Sequence, residues 1–222
     1  MARRFRPVQD GAAPVRRPGR PLRLGISACL LGERVRWDGR DKHAPFVTET
    51  LGAVEWVPVC PEVELGLGVP REPVRLEGDP GNPRLRGETS RRDHTDAMTR
   101  FAIARVAALA RLGLSGYVLK SDSPSCGLAR VAVHGHRASR RGRGIFARVL
   151  TERLPALPVA EEWALRSPAR RARFLAAVRA YARSREGVRA LRRRRRRRGG
   201  SSAPRGARTR GSSPPPRSPR AR

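Results

Sequence analysis

The sequence predicts an α/β domain with a mostly parallel sheet, flanked by disordered basic tails. Four short apolar segments have the composition of strands: residues 22–28, 53–59, 116–120 and 131–134. Between the second and the third, apolar residues recur at helical spacing, from a cap at Thr95 to a stop at Gly113. A helix between two strands favours a right-handed crossover, which makes the strands parallel.

The segments around these elements predict loops and one further helix. Residues 64–87 are rich in Pro and Gly and predict a long loop over the sheet edge, of the kind that covers a pocket. Residues 137–144 are basic and Gly/Ser-containing, and an apolar stretch follows at residues 145–150. Ser167 and Pro168 predict a helix start, with Ser as the cap and Pro in the first turn.

Composition divides the chain into four parts. We expect a disordered basic arm at residues 1–21, a catalytic domain at residues 22–158 and a helical segment at residues 159–186. A disordered tail is expected at residues 187–222, because these residues include fourteen arginines and no acid.

The charge and the targeting signals limit the class of protein. The net charge is +30, which favours a polyanionic partner, although an Arg-biased genome would also explain why 47 of the 49 basic residues are Arg. No secretory signal and no run of about 18 apolar residues is present, so the sequence predicts no membrane association. Three cysteines, an odd number, argue against a disulfide framework and favour the cytoplasm.

The three cysteines are the most informative residues of the chain. Cys29, Cys60 and Cys126 each follow an apolar run, at the predicted carboxyl end of a strand. Ligands bind where such ends converge in a parallel sheet, so we expect the three thiols to meet. The alternative is that they are buried small apolar residues, the usual role of a free Cys.

If the three cysteines bind one metal centre, an iron–sulfur cluster is favoured over a zinc ion. Structural zinc sites use close pairs such as C-x-x-C, and the chain has none. Widely separated thiolates suit a larger cluster, and three of them leave one iron of a 4Fe–4S cluster open as a Lewis acid.

Polar residues near the cysteines are candidates for chemistry. Glu62, two residues after Cys60, could be a general base; the alternative is a solvated loop carboxylate. Ser123, Ser125 and the backbone at Gly127 could donate hydrogen bonds to a cluster, a carbonyl or a phosphate, unless they form an ordinary turn.

The few lysines and histidines, and Asp38, give weaker indications of function. Lys42 and Lys120 are the only lysines, and both lie near the cysteine segments. His134 and His136 would share one face of a strand, but solvent exposure beside the arginines is favoured over metal binding. Asp38 precedes Gly39 in a predicted turn.

Five segments, in order, resemble the thiouracil desulfurase family: residues 26–32, 35–39, 58–63, 66–71 and 119–127. The resemblance covers about residues 22–158 and implies a Rossmann-like fold, here a three-layer sandwich, in a cytoplasmic enzyme. It also implies a 4Fe–4S cluster with three protein ligands, Cys29, Cys60 and Cys126.

The same resemblance implies roles for individual residues. Glu62 would deprotonate the attacking water, and Ser125 would move a proton or orient the substrate. We assign substrate binding to Lys120, Ser123 and Asp38.

The implied reaction is non-redox: a thiocarbonyl and water give a carbonyl and hydrogen sulfide. One line of the family acts on free 2-thiouracil, and the other on 4-thiouridine in tRNA, usually with a second domain. Residues 154–162 resemble the junction into that domain, but an Arg-rich tail stands in its place. Two alternatives are a non-catalytic RNA-binding protein that uses its Arg-rich tails, and a zinc hydrolase built on the same three cysteines.

Overall fold

The computed structural model describes residues 21–135 and 139–199, with the backbone alone at residues 139–141 and 185–199. The strands in these ranges are β1 (Leu22–Ser27), β2 (Val54–Val59), β3 (Val74–Glu77), β4 (Arg84–Gly87), β5 (Gly116–Leu119), β6 (Val131–His134), β7 (Ser139–Gly142) and β8 (Val159–Glu161). The α-helices are α1 (Pro45–Thr48), α2 (Pro61–Glu64), α3 (Thr95–Leu112), α4 (Ile145–Arg153) and α5 (Pro168–Gly199). Two 3-10 helices span Ala28–Leu31 and Glu162–Arg166.

The first sheet has the order β2-β1-β5-β8, and all neighbouring strands are parallel. After β2 the chain returns to the opposite side of β1 to form β5. This reversal of strand order opens a crevice at the carboxyl ends of β1 and β5. Three of the predicted strands form this sheet, as expected, and β8 completes it without having been predicted.

Helices cover both faces of the first sheet. One face packs against α3 and α4 through apolar side chains: Val106, Leu109, Leu119, Phe146 and Leu150. The other packs against α1, the second 3-10 helix and the start of α5 through a separate apolar set: Leu24, Ile26, Val47, Leu165 and Val178. Gly116 permits the close approach of α5, because a Cβ there would lie 2.7 Å from Val178 Cγ2. The predicted three-layer α/β sandwich is therefore present.

A second sheet has the order β4-β3-β6-β7. Strands β3 and β6 are parallel, whereas β4 and β7 are antiparallel to their neighbours. Its inner face packs Leu76, Leu85 and Val133 against Met98 of α3. The outer face has the polar residues of the alternating pattern.

Three details correct the sequence prediction. Residues 64–87 are not a continuous loop, because they contain β3 and β4, whose period-2 alternation is short and is interrupted by Pro and Gly. The fourth predicted strand, β6, belongs to the second sheet. Thr95 is the first residue of α3 and not its cap; the preceding residue, His94, is the N-cap.

The chain also differs from the predicted boundaries. Strand β8 continues the first sheet beyond residue 158, and α5 continues to Gly199 where disorder was expected from residue 187. The rest of the predicted arm and tail, residues 1–20 and 200–222, lies outside the described residues. None of the helices within the described ranges combines the length and apolar composition needed to cross a membrane.

Candidate active site

The three cysteines follow three adjacent strands of the first sheet. Cys29 lies in the 3-10 helix after β1, Cys60 precedes α2 at the end of β2, and Cys126 lies in the loop after β5. Because β2, β1 and β5 are parallel neighbours, their carboxyl ends lie side by side. The structure brings the three predicted thiols to one place.

All three thiols line one cavity of about 580 Å³. Cys29 and Cys126 are buried, and Cys60 is partly exposed. Polar and aromatic residues from separate segments of the chain share the wall, among them Ser27, Arg36, Trp37, Lys42, Glu62, Arg71, Lys120 and Ser123. Such a concave site with converging polar groups is typical of a small-molecule binding site.

The thiols sit in an environment that disfavours thiolates. The pKa of Cys29 is raised to about 11, chiefly by burial and then by the nearby Cys60, with Lys120 acting in the opposite direction. Burial also raises the pKa of Cys60. For Cys126, burial raises the pKa well above its ordinary value; the Ser27 hydroxyl lowers it, and Cys29 and Cys60 raise it. These mutual electrostatic effects mean that the three sulfur atoms are neighbours, and that a bound metal centre would have to displace their protons.

The loop that contains Cys126 is shaped by a serine and a glycine. The Ser123 hydroxyl accepts hydrogen bonds from the backbone N–H groups of Ser125 (3.2 Å) and Cys126 (3.0 Å). Gly144, just before α4, lies against the same loop, where a Cβ would be 2.4 Å from the Ser125 carbonyl oxygen. Ser123 therefore holds the loop as well as lining the cavity.

Glu62 is held between Ser125 and Arg71. The Ser125 hydroxyl donates a 2.8 Å hydrogen bond to Glu62 Oε1. Arg71 Nε and Nη2 donate to Glu62 Oε2 at 3.0 and 2.6 Å. Arg71 Nη1 donates to the carbonyl oxygens of Val35 (3.0 Å) and Gly68 (2.8 Å), so its guanidinium is fixed on both sides. The two predicted catalytic side chains thus touch each other, and the ordering of Glu62 rules out a freely solvated carboxylate.

Lys120 is fixed in the cavity wall by an acid from a distant segment. Its Nζ donates to Glu162 Oε1 at 2.5 Å, to the Ser121 carbonyl oxygen at 3.0 Å and to the Ser121 hydroxyl at 2.9 Å. The side chains of Lys120 and Glu162 are only 18% and 11% exposed. The ammonium lies near Cys29, and its three N–H groups already have partners.

Asp38 is placed differently from Lys120 and Ser123. Its carboxylate accepts hydrogen bonds from the Arg40 N–H (3.1 Å) and pairs with Arg36 Nε (3.3 Å), as in the predicted turn. Arg36 and Trp37 line the cavity, whereas Asp38 is not among the lining residues. Asp38 therefore contacts Arg36 and does not contact the cavity directly.

Sequence reasoning missed several residues of the site, among them Ser27, Arg36, Trp37, Arg71 and Glu162. Trp37 and Arg71 lie in the segments that carry the family resemblance, and that was the available signal for them. Glu162 gave no signal, because its partner Lys120 is 42 residues away in sequence.

The predicted histidine pair does not form part of this site. His134 is the last residue of β6 and is exposed, as the sequence analysis favoured. It lines a different concavity. His136 lies outside the described residues.

The sulfur atoms are not arranged for one small ion. Across residues 21–135 and 139–199, which include all three cysteines, no three His, Cys, Asp or Glu side chains are placed to hold a single metal ion.

Comparisons with known proteins agree with this geometry. The family model for 2-thiouracil desulfurase matches residues 24–162, which include every predicted site residue. The uncharacterised protein YbbK of Bacillus subtilis (strain 168) is 30% identical over 107 residues, covering 46% of this chain and 71% of YbbK.

A solved structure is similar in both fold and sequence. The [4Fe-4S]-dependent thiouracil desulfidase TudS superposes with a TM-score of 0.52 at 28% identity, covering 65% of this chain and 93% of TudS. These matches confirm the predicted family, the Rossmann-like sandwich and the prediction of a desulfurising enzyme. The chain therefore belongs to the 2-thiouracil desulfurase family.

Proposed function

We propose that the protein hydrolyses the C–S bond of a thiolated uracil with a 4Fe–4S cluster held by Cys29, Cys60 and Cys126. The observation that carries the proposal is the convergence of these thiols on one cavity, beside the Glu62–Ser125 pair. The likeness to a [4Fe-4S]-dependent thiouracil desulfidase supports the choice of cofactor and of substrate ring.

The residues fit such a cluster by their chemistry. Three thiols are soft ligands, and a site with three protein ligands keeps one position open for a substrate atom. When bound, a cluster would supply a Lewis-acidic iron for the thione sulfur, which makes the ring carbon more electrophilic. Lys120 contributes positive charge near Cys29 and would offset part of the negative charge of the thiolates.

Glu62 and Ser125 have the geometry for the proton transfers. Glu62 would take a proton from the attacking water while Arg71 holds the carboxylate in place. Ser125, which donates to Glu62 Oε1, would pass a proton or orient the ring. The reaction consumes one thiocarbonyl and one water and releases one carbonyl and one hydrogen sulfide.

Trp37, Lys120 and Ser123 give the cavity walls that a pyrimidine would meet. Trp37 is 44% exposed at the cavity, and its indole is a flat surface suited to stacking on the ring. Ser123 remains our candidate for a polar contact with the substrate, Lys120 would act through its positive charge, and Asp38 would act through Arg36.

Glu62→Gln tests the assignment of the base. We expect the variant to keep its cluster but to lose about 10² in kcat with 2-thiouracil, because an amide cannot accept the proton. Glu33→Gln is the matched control, since Glu33 is exposed and lies a few residues from Cys29. A Glu62→Gln enzyme that turns over at the wild-type rate would remove Glu62 from the chemistry.

A further inference from the structure

Two adjacent buried glutamates lie at the end of the last strand of the first sheet. Glu161 is the last residue of β8, and Glu162 is the first residue of the second 3-10 helix. The parallel register places Glu161 opposite Leu119, the last residue of β5. Both glutamates therefore lie at the carboxyl edge of the sheet, where the loop of residues 120–130 leaves β5. We call these residues the Cys126 loop.

Glu162 holds the start of the Cys126 loop. Its Oε2 accepts a 2.7 Å hydrogen bond from the Ser121 N–H, and its Oε1 accepts one of 2.8 Å from the Ser121 hydroxyl. The same Oε1 pairs with Lys120 Nζ at 2.5 Å. The Lys120 N–H donates to the Ser27 hydroxyl of β1 at 3.0 Å. The first two residues of the loop are thus bonded both to Glu162 and to β1.

Glu161 holds the end of the same loop. Its Oε1 accepts hydrogen bonds from the backbone N–H groups of Leu128 at 2.8 Å and Ala129 at 3.4 Å. Its Oε2 accepts a 2.8 Å hydrogen bond from the Trp163 indole N–H. The residues that follow Cys126 are therefore bonded to the end of β8.

The segment between these two attachments carries the functional groups of the loop. It contributes Cys126 to the cavity and Ser125 to the contact with Glu62. The backbone of α4 contacts the middle of the segment, where the Ala147 N–H donates to the Ser125 carbonyl oxygen at 3.2 Å. The glutamate side chains hold its two ends. Because the other two thiols follow β1 and β2, the position of this segment decides whether the third sulfur can face the same bound group.

We propose that Glu161 and Glu162 are positioning residues, which hold the Cys126 loop so that its sulfur faces the cavity shared with Cys29 and Cys60. The inference rests on the proposed function and adds two residues to its site, both beyond the catalytic domain expected from the sequence. Neither glutamate is among the residues that line the cavity. Burying a carboxylate has a desolvation cost, so stability alone is a poor reason for two of them here.

The test compares Glu161→Ala and Glu162→Ala with wild type in the full chain. Each substitution removes every hydrogen bond that its carboxylate accepts. A third variant, Lys120→Met/Glu162→Ala, also removes the ammonium that Glu162→Ala leaves without its acid, so that an unpaired charge cannot explain the result. The matched control is Glu72→Ala, because the Glu72 carboxylate accepts from two backbone N–H groups in the turn after β4, at 3.0 and 2.9 Å.

The first measurement needs no cluster. The reduced, cluster-free protein is treated with iodoacetamide, and alkylation of each cysteine is followed by peptide mass spectrometry. Cys126 is 6% exposed and Cys29 is 9% exposed, so each reacts when its surroundings open. In the three glutamate variants we expect Cys126 to react about 10-fold faster or more, and Cys29 less than about 3-fold faster, because the Cys126 loop alone is released. Glu72→Ala should leave both rates within about 2-fold of wild type.

The second measurement follows the cluster. Protein reconstituted with iron and sulfide is mixed with an iron chelator, and the decay of the visible absorbance gives the rate of cluster release. Residues that orient metal ligands typically change metal affinity by about 10- to 100-fold, so we expect release to be about 10-fold faster in the glutamate variants. Glu72→Ala should release its cluster at the wild-type rate.

Unchanged alkylation of Cys126 in the glutamate variants would overturn the proposal. Equal acceleration of Cys29 and Cys126 in all three would overturn it too, because the whole fold would then have loosened. So would wild-type cluster release from variants whose Cys126 reacts faster. If wild type holds no cluster but Cys126 alkylation rises selectively, the positioning stands and the proposed function fails. If wild type desulfurises 2-thiouracil but Cys126 alkylation does not change, the proposed function stands and the positioning fails.

Discussion

Arg71→Gln is the substitution for which the expected loss in the free energy of unfolding is clearest. The Arg71 and Glu62 side chains are 5% and 12% exposed, and the shortest N–O distance between them is 2.6 Å. Glutamine cannot restore the paired N–H contacts or the bonds to the Val35 and Gly68 carbonyl oxygens. The Glu62 carboxylate would keep a single side-chain partner, Ser125, at a position where it is only 12% exposed.

Breaking a buried ion pair from one side costs about 3–5 kcal/mol, so we expect a loss of this size in the free energy of unfolding. The assay is urea unfolding of the cluster-free protein, followed by circular dichroism, so that cluster binding adds nothing to the difference. Arg75→Gln is the control, because Arg75 pairs with Glu77 at 34% exposure and should cost about 1 kcal/mol or less.

A double-mutant cycle separates the interaction energy of the Arg71–Glu62 pair from the effects of each substitution on its other neighbours. Because Arg71→Gln/Glu62→Gln leaves no unpaired charge, it should be less destabilised than the sum of the single variants. A loss below about 1 kcal/mol in Arg71→Gln, equal to that in Arg75→Gln, would refute the account of Arg71 as the buried partner of Glu62.

Three further expectations concern single side chains. Cys126→Ala should lose bound iron and all turnover, since one of three proposed ligands is gone; a brown, active variant, judged by iron analysis and 2-thiouracil assay, would remove Cys126 from the ligand set. Trp37→Ala should raise the KM for 2-thiouracil by about 10-fold with a smaller change in kcat, because stacking contributes about 1–3 kcal/mol; Trp37→Phe should recover part of the KM, and an unchanged KM in Trp37→Ala would exclude stacking. Hydrogen bonding from Arg91 lowers the pKa of Glu77 from 4.5 to about 2; a lowered folded-state pKa adds stability above the ordinary value that is lost as pH falls towards the folded one. The free energy of unfolding should therefore drop more between about pH 6 and about pH 3 in wild type than in Arg91→Gln, and parallel pH curves would contradict this.

The strands that position the three thiols could be predicted from the sequence. Apolar runs that end at turn residues are local signals, and the runs before Cys29, Cys60 and Cys126 correspond to β1, β2 and β5. The helical periodicity after Thr95 likewise identified α3 to within a residue at each end.

The missed features depend on contacts that are remote in sequence. Strand β8 has three residues, too few for a periodic signal, and it exists because β5 offers it a parallel edge. Glu162 meets Lys120 only after the sheet has formed, and Arg71 reaches Glu62 across a turn of nine residues. Such pairings follow from topology, which local composition does not contain.

A single anaerobic experiment on the purified full chain tests whether the three cysteines hold a working cluster. Its iron and sulfide content and visible spectrum are recorded, and 2-thiouracil is added while the thione absorbance and the released sulfide are followed. We expect a brown protein with about four irons per chain that converts 2-thiouracil to uracil with one sulfide released per ring. A protein that remains colourless after reconstitution with iron and sulfide, and leaves the thione band unchanged, would rule out a cluster-dependent desulfidase.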